Sequence, residues 1–135
     1  MTSHRTRIKI RGYHLDLYGH VNNARYLEFL EEARWSMIDD RIDLAAWQKR
    51  GLAFVVVKIT INYRRAVSLG DVIDIRSTLS ELGRKSATIR QEVVLDGSDV
   101  RVADADVTFV IVDVENDRAL PLEGDIAESL SLLRT

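Results

Sequence analysis

The chain has 135 residues, a net charge of −2 and no cysteine. Its length is typical of one compact domain, and its composition, 46% apolar and 30% charged, is that of a globular protein. A slightly negative charge gives no reason to expect nucleic-acid binding, and the missing thiols exclude disulfides, cysteine metal sites and a cysteine nucleophile. We therefore predict a single domain over residues 1–135.

Two features of the sequence predict where the protein is found. Residues 1–11 carry several cations, but the apolar segment of a secretory signal does not follow them. No stretch approaches the ~18 consecutive apolar residues that a membrane-spanning helix requires. Both features favour a cytoplasmic protein that does not enter a membrane.

The predicted elements begin with a strand and a long helix. Residues 5–11 alternate cations with apolar or hydroxyl side chains, which predicts a half-buried strand that ends at Gly12. Residues 13–21 follow neither the strand nor the helix period and are predicted to form an ordered loop. From Asn22 the period is helical, and this residue is a good N-cap for a helix over residues 23–38.

The long helix is predicted to be amphipathic. Its apolar stripe consists of Tyr26, Leu27, Leu30, Ala33, Met37 and Ile38. The charged side chains that lie mostly away from this stripe are Glu28, Glu31, Glu32 and Arg34. A shorter second helix is predicted over residues 43–50, and it stops at Gly51, the residue type favoured in a left-handed C-terminal cap.

The rest of the chain predicts strands and one terminal helix. Strands with a period of two are predicted over residues 55–64, 72–82, 85–95 and 103–111. Asp96-Gly97 indicates a hairpin turn because both residues tolerate positive φ. A final helix is predicted over residues 123–133. This order predicts an α+β fold in which a curved antiparallel sheet wraps the long helix, and small residues such as Ala105 let the helix approach closely.

A family resemblance is carried by residues 16–27, which read Asp-Leu-Tyr-Gly-His-Val-Asn-Asn-Ala-Arg-Tyr-Leu. This run resembles the signature of hotdog-fold acyl-CoA thioesterases of the 4-hydroxybenzoyl-CoA thioesterase type. Residues 11–16, 26–35 and 62–65 look like the bacterial long-chain acyl-CoA thioesterase III branch of that family. The similarity covers nearly the whole chain, and the predicted order of elements is also the family's order. One departure is Ala66, which stands where family members often have proline.

The resemblance implies a fold, a reaction and an assembly. The fold is the hotdog fold, a long central helix wrapped by a curved antiparallel sheet. The reaction is hydrolysis of an acyl-CoA thioester to free acid and coenzyme A, with medium- to long-chain fatty acyl groups as the implied substrates. In this family the site lies between two subunits, so a homodimer or homotetramer is implied. No cofactor is expected.

Asp16 is the implied catalytic carboxylate, either as a nucleophile or as the general base that activates water. A short loop can return it to the helix start, where the free amides of Asn23 and Ala24 and the helix dipole would polarise the thioester carbonyl. The other interpretation of Asp16 is a carboxylate that caps the helix or pairs with Arg25. His20 is a further candidate for the catalytic set, and a structural histidine is an equally open interpretation.

Substrate-binding residues are predicted from the needs of coenzyme A and of the acyl chain. The phosphates of coenzyme A require nearby cations. The candidate substrate-binding residues are Asn22, Ala24, Tyr26, Arg64, Arg65, Arg84 and Lys85. Candidate lining of the acyl chain is provided by Leu27, Leu30, Trp35 and Phe54. The alternative for each cation is solvated surface, and the alternative for Tyr26 and the apolar residues is core packing.

Other kinds of site are compatible with parts of the sequence. His14, Asp16 and His20 could suggest a metal site, but they lie on an irregular loop without a second cluster to complete the coordination, so no metal is predicted. A hotdog hydratase or dehydratase relies on a differently placed histidine and acid, and the chain offers only His4 besides those two histidines. A non-catalytic module that binds acyl-CoA or an acyl carrier is the remaining alternative. The fold alone does not decide among them, nor between coenzyme A and a carrier protein.

Overall fold

The computed structural model describes residues 3–134. Within that range the strands are β1 (His4–Lys9), β2 (Leu52–Tyr63), β3 (Val72–Leu82), β4 (Ala87–Leu95), β5 (Arg101–Asp113) and β6 (Arg118–Ala119). The α-helices are α1 (Asn23–Arg41), α2 (Leu44–Lys49) and α3 (Gly124–Ser131). Single 3₁₀ turns cover Gly12–His14 and Leu132–Arg134. The predicted order of strand, long helix, short helix, four strands and terminal helix is confirmed.

One antiparallel sheet organises the fold, with the strand order β1-β3-β4-β5-β2 and the short β6 beside β5. The consecutive strands β3, β4 and β5 form its centre, where Ile75 lies opposite Val93 and Gln91 lies opposite Ala105. β1 pairs with β3, and β2 pairs with β5. The residues of α1 pack against one face of this sheet, so the predicted α+β architecture is confirmed.

The core lies between α1 and the sheet and consists of two apolar clusters. The first surrounds the fully buried Leu30 and includes the buried Ala103 and Ala105 of β5. The second surrounds Met37 and Ile38 and is closed by buried side chains of α3. The N-terminal half of α1 therefore packs in the first cluster, and its C-terminal half packs in the second.

α1 is longer and more fully covered than its sequence predicts. It ends at Arg41 rather than at residue 38. Arg34, which the helical period places away from the apolar stripe, is buried, whereas Leu27 of the predicted stripe is 41% exposed. The prediction is wrong for these two side chains because the sheet covers a different part of the helix circumference, where Gln91 of β4 reaches Arg34.

The first long strand after the helices, β2, is only partly buried. Its predicted alternation of buried and exposed residues is wrong for residues 55–58, which are all exposed. A β-bulge between Val56 and Lys58 inserts Val57 as an extra residue and so interrupts the period of two. Among residues 3–134, no strand pairs with the outer edge of β2. β2 is therefore an edge strand that exposes valines and unpaired backbone groups along one edge of the sheet.

Predictions for the ends of elements are mostly confirmed. α2 begins and ends one residue inside its predicted limits, and Asp43 caps it by accepting a hydrogen bond from the backbone of Ala46 at 3.0 Å. Gly51 follows α2 with φ of 73°, the left-handed conformation predicted for it. At the β4–β5 connection only Gly97 is left-handed, with φ of 78°, while Asp96 is not. The hairpin predicted there is confirmed, because β4 and β5 pair antiparallel and the backbone N–H of Ser98 donates to the Leu95 carbonyl at 3.1 Å across Asp96-Gly97.

Candidate active site

The Asp16 loop, residues 15–21, folds around its own carboxylate. Asp16 Oδ1 accepts hydrogen bonds from the backbone N–H groups of Tyr18 at 2.9 Å and His20 at 3.2 Å. The backbone N–H of Asp16 donates to the His20 carbonyl at 2.8 Å, and Gly19 adopts φ of 76° to close the turn. Within the described chain, no hydrogen bond engages Oδ2 of Asp16. The loop therefore orients the carboxylate through one oxygen and leaves the other available.

The Asp16 loop is held against the rest of the chain from both ends. The backbone N–H of Val21 donates to the Val67 carbonyl at 2.9 Å, and that of Asn22 donates to the His14 carbonyl at 2.9 Å. His14 is buried, and its Nδ1 accepts from the backbone of Arg11 at 2.9 Å. Burial lowers the pKa of His14 because it disfavours the charged imidazolium. This histidine therefore serves as a neutral support of the loop.

The start of α1 lies beside this loop and is capped as predicted. Asn22 Oδ1 accepts a hydrogen bond from the Ala24 backbone N–H at 2.9 Å. The Ala24 amide, which the sequence predicts to be free, is therefore already bonded. Among residues 3–134, no hydrogen bond engages the Asn23 amide, which remains available in the first turn. Arg25 pairs with Glu28 at 2.8 Å rather than with Asp16.

A cleft of about 330 Å³ joins the Asp16 loop to the start of α1 and the end of β2. We call it the Asp16 cleft. The predicted site residues that it brings together are Asp16, His20, Asn23, Tyr26, Arg64 and Arg65. Asp16 and His20 precede α1, Asn23 and Tyr26 lie in its first turn, and the two arginines directly follow β2. Residues separated by about 40 positions in the sequence thus meet in one place.

Tyr63, the last residue of β2, belongs to the Asp16 cleft but was not predicted as a site residue. Its hydroxyl donates to the Asn23 carbonyl at 3.1 Å. Its ring contacts the ring of Tyr26 edge-on, with centroids 5.5 Å apart. Burial, with the nearby Tyr63, raises the pKa of Tyr26 to about 12, so this phenol stays protonated near neutral pH. In the sequence, Tyr63 belongs to the family-like run 62–65 and immediately precedes Arg64-Arg65.

The two arginines of the Asp16 cleft differ in their partners. Arg64 forms an ion pair with the buried Asp104, which also accepts from Asn62 Nδ2 at 3.1 Å. The hydrogen bond from Arg64 holds the pKa of Asp104 below its usual range. Among the residues that the structure describes, no carboxylate lies within 4.0 Å of the exposed Arg65 side chain. Of the two arginines, Arg65 is therefore the one without an ionic partner among the described residues.

The second predicted cation pair lies elsewhere in the chain. Arg84 and Lys85 border a cleft of about 530 Å³ together with Pro121 and Glu123. None of the residues of the Asp16 cleft borders it. Within one chain, the structure therefore does not bring Arg84 and Lys85 together with Asp16.

A mainly apolar cavity of about 470 Å³ runs between α1 and β2. We call it the α1–β2 cavity. Of the predicted acyl-chain lining, Leu27, Trp35 and Phe54 border this cavity, whereas Leu30 is fully buried in the core and does not. Its lining on α1 extends over successive turns from Leu27 to Ile38. The cavity therefore follows the helix away from its start.

Residues 3–134 contain neither a metal-binding cluster nor a helix that could span a membrane. No cluster of three or more histidine, cysteine or acidic side chains in that range could hold a metal ion. Among the helices of that range, none is both long and apolar enough to cross a membrane.

The helix wrapped by an antiparallel sheet and the acidic loop at its start define the class of protein. Residues 10–130 match the Thioesterase-like superfamily, and the chain belongs to this family. The predicted hotdog fold and the predicted thioesterase class are thereby confirmed.

Individual relatives place the chain within that family. It is 50% identical over 125 residues to the "Long-chain acyl-CoA thioesterase FadM" of Escherichia coli K12, an alignment covering 93% of this chain and 95% of that protein. It is 30% identical over 109 residues to the "Acyl-CoA thioester hydrolase YbgC" of Escherichia coli O6:H1, covering 78% and 81%. The crystal structure of the probable thioesterase YbaW from Escherichia coli superposes with a TM-score of 0.91 at 47% identity, covering 97% of this chain and 98% of that one.

Proposed function

We propose that this protein hydrolyses acyl-CoA thioesters to free acid and coenzyme A, with medium- to long-chain fatty acyl groups as substrates. The observation that carries the proposal is the free Oδ2 of Asp16 beside the open first turn of α1. The relative with 50% identity, a long-chain acyl-CoA thioesterase, supports the choice of substrate. The predicted cytoplasmic location stays a prediction.

Asp16 acts by one of two routes, which differ in what attacks the thioester. As a nucleophile, its carboxylate attacks the carbonyl carbon, the C–S bond breaks, and water then cleaves the resulting anhydride. As a general base, it takes a proton from water that attacks the same carbon and passes the proton to the departing thiolate. In both routes coenzyme A leaves as a thiol and the acyl group leaves as an acid.

The oxyanion that develops on the carbonyl is stabilised at the start of α1. The Asn23 amide is an available donor there, and the positive end of the helix dipole lies behind it. The hydroxyl of Tyr26 is a neutral donor on the same cleft because its pKa is about 12. His20 borders the cleft and contributes by orienting the Asp16 loop or by contacting the thioester. Asn22 acts through its cap of α1.

The phosphates of coenzyme A are bound by cations at the mouth of the Asp16 cleft. Arg65 is the stronger candidate because Arg64 is already paired with Asp104. Arg84 and Lys85 border a different cleft, so they serve the same substrate only if a neighbouring subunit supplies them.

A homodimer forms through β2 in this proposal. Val55, Val56 and Val57 are 40%, 40% and 58% exposed on a strand whose outer edge is unpaired within residues 3–134. Such an edge favours pairing with another copy. Sedimentation of a Val57→Glu variant should show a loss of dimer, while Val114→Glu, at a valine 60% exposed outside β2, should not. A Val57→Glu variant that stays dimeric would contradict this interface.

The function is tested by measuring thiol release from short, long and aromatic acyl-CoA substrates. Asp16→Asn is a close structural match, because an amide oxygen can still accept from Tyr18 and His20. We expect its turnover to fall by at least ~100-fold, the scale of a lost acid–base group. Asp39→Asn, at an exposed position of α1, should change little.

The alternatives give different results in the same assay. Full activity of Asp16→Asn would remove Asp16 from the mechanism. Absence of thiol release from every acyl-CoA would refute the proposed reaction and favour carrier-protein substrates or a binding module. Hydration of an enoyl-CoA without thiol release would favour the hydratase.

A further inference from the structure

A buried arginine lies in the middle of α1, where the helix passes over β4. Arg34 is 8% exposed, and its Nη1 donates to Gln91 Oε1 at 3.1 Å. The side-chain amide of the fully buried Gln91 donates in turn to the Leu30 carbonyl and to Ser77 Oγ, both at 3.0 Å. These bonds fix the Gln91 amide with its oxygen towards Arg34, so the arginine is held in one place.

The charge of Arg34 is only partly compensated. A guanidinium has five N–H donors, and arginine is rarely buried without an ionic partner. Among residues 3–134, no carboxylate lies within 4.0 Å of the Arg34 guanidinium. Burial lowers the pKa of Arg34, and the more distant Glu31 opposes that effect. The site therefore favours an additional oxygen acceptor next to Arg34.

Arg34 borders the α1–β2 cavity, whose walls are otherwise mainly apolar and aromatic. Glu31 borders the same cavity one turn earlier, and its carboxylate accepts from Trp35 Nε1 at 3.3 Å. Glu28, also on the wall, is paired with Arg25. A ligand that suits these walls is mostly hydrocarbon and carries one neutral oxygen group. A carboxylate on the ligand would be repelled by the carboxylate of Glu31.

We propose that the α1–β2 cavity receives the acyl chain and that Arg34 is a specificity-determining residue that binds a hydroxyl or oxo group on that chain. This inference rests on the function proposed above. The oxygen accepts from the Arg34 guanidinium, and a hydroxyl can also donate to Glu31. The protein would then prefer oxygenated long-chain acyl thioesters over saturated ones.

The position of the oxygen on the chain follows from the geometry of α1. The Arg34 guanidinium bonds the same Gln91 amide that bonds the Leu30 carbonyl, so it lies between the levels of Leu30 and Arg34, seven to eleven residues after Asn23. At 1.5 Å per residue this is about 10–16 Å. An extended chain advances roughly 1.2 Å per bond, as a polypeptide does over its three bonds per residue, so this distance corresponds to about 9–13 bonds. With the thioester carbonyl at the start of α1, the oxygen belongs between about carbons 10 and 14 of the acyl chain.

The test compares four thioesters of equal chain length by kcat/KM. These are hexadecanoyl-, 3-hydroxyhexadecanoyl-, 12-hydroxyhexadecanoyl- and hexadecanedioyl-CoA. We expect the wild type to prefer the 12-hydroxy substrate over hexadecanoyl-CoA by about tenfold or more, the discrimination of a hydrogen bond to a charged group. Arg34→Met should bring this ratio towards one, and Arg34→Lys should restore part of it. The ratio compares two substrates on one enzyme sample, so partial unfolding of a variant does not alter it.

The outcomes separate this inference from the proposed function. Hydrolysis of all four substrates with a wild-type ratio near one, or with an unchanged ratio in Arg34→Met, overturns the role of Arg34 alone. An equal preference for the 3-hydroxy substrate places the oxygen near the thioester and overturns it as well. A preference for the dicarboxylic substrate overturns the neutral-oxygen assignment. Absence of thiol release from all four overturns the reaction and the inference together.

Discussion

Replacement of Gln91 by leucine should destabilise the protein strongly, although leucine is of similar size and suits an apolar core. Gln91 is fully buried and makes three hydrogen bonds, to Arg34, Leu30 and Ser77. Gln91→Leu removes them all and leaves Arg34, 8% exposed, without the acceptor that the structure gives it. The substitution therefore separates the effect of polar pairing from that of volume.

The magnitude follows from the three bonds. The bond to the charged Arg34 contributes about 1.5–3 kcal/mol, and the two neutral bonds contribute about 1 kcal/mol each. Burial of the added apolar surface returns about 1–2 kcal/mol. The net loss is about 3 kcal/mol in the free energy of unfolding. With an unfolding entropy of about 0.28 kcal/mol/K for 135 residues, this corresponds to a fall of about 10 °C in Tm.

The assay is urea unfolding at neutral pH for Gln91→Leu, Arg34→Met and the double variant. The double variant should be more stable than Gln91→Leu by at least about 1 kcal/mol, because it no longer buries an unpaired cation. Gln48→Leu, the same change at an exposed position of α2, should stay within about 0.5 kcal/mol of the wild type. A double variant whose loss equals the sum of the two single losses would refute the reasoning.

Three further predictions concern the cap of α1, a phenol and a carboxylate. Asn22→Ala removes the hydrogen bond to the Ala24 amide and should lower the free energy of unfolding in urea by about 1 kcal/mol. Asn22→Asp, which keeps an acceptor oxygen, should retain most of the stability. Equal losses in the two variants would contradict the capping role of Asn22. The late tyrosine ionisation near pH 12 in an absorbance titration should disappear in Tyr26→Phe. Since the folded pKa of Tyr26 is raised above its unfolded value, its stabilisation is present below pH ~10 and should be lost as pH rises towards 12. The contribution of Asp104 to stability depends on pH in the opposite direction. Its folded pKa is lowered, first by the hydrogen bond from Arg64, so its stabilisation is present above pH ~3.9 and is lost as pH falls through the folded pKa. Asp104→Asn should therefore flatten the fall in urea midpoint below pH 4, and an unchanged slope would count against this role.

Much of the fold is predictable because its signals are local. The cap at Asn22, the start of α1 and the limits of β3 follow from neighbouring residues alone. The burial of β2 is not predictable in this way. A period of two indicates which side chains share a face, but it contains no information about a bulge at Val57 or about an uncovered sheet edge.

The candidate site likewise contains residues that neighbouring sequence predicts and residues that depend on distant partners. Asp16, His20 and Asn23 lie within eight residues, so their meeting in one cleft can be predicted from a short loop before a helix. The commitment of Arg64 to Asp104 depends on the pairing of β2 with β5, 40 residues away. The burial of Arg34 likewise depends on Gln91, 57 residues later. A helical pattern alone assigns that arginine to solvent.

The strand order also determines when each part of the molecule can form during synthesis. β1 and β2 are made early but occupy the outer positions of the sheet, each beside a strand that appears later. Leu52 pairs with Asp113, so β2 has no partner until nearly the whole chain exists. The apolar stripe of α1 meets Ala103 and Ala105 equally late. The nascent chain therefore exposes its longest helix and a valine-rich strand together, and this interval is when binding by a chaperone would protect it most.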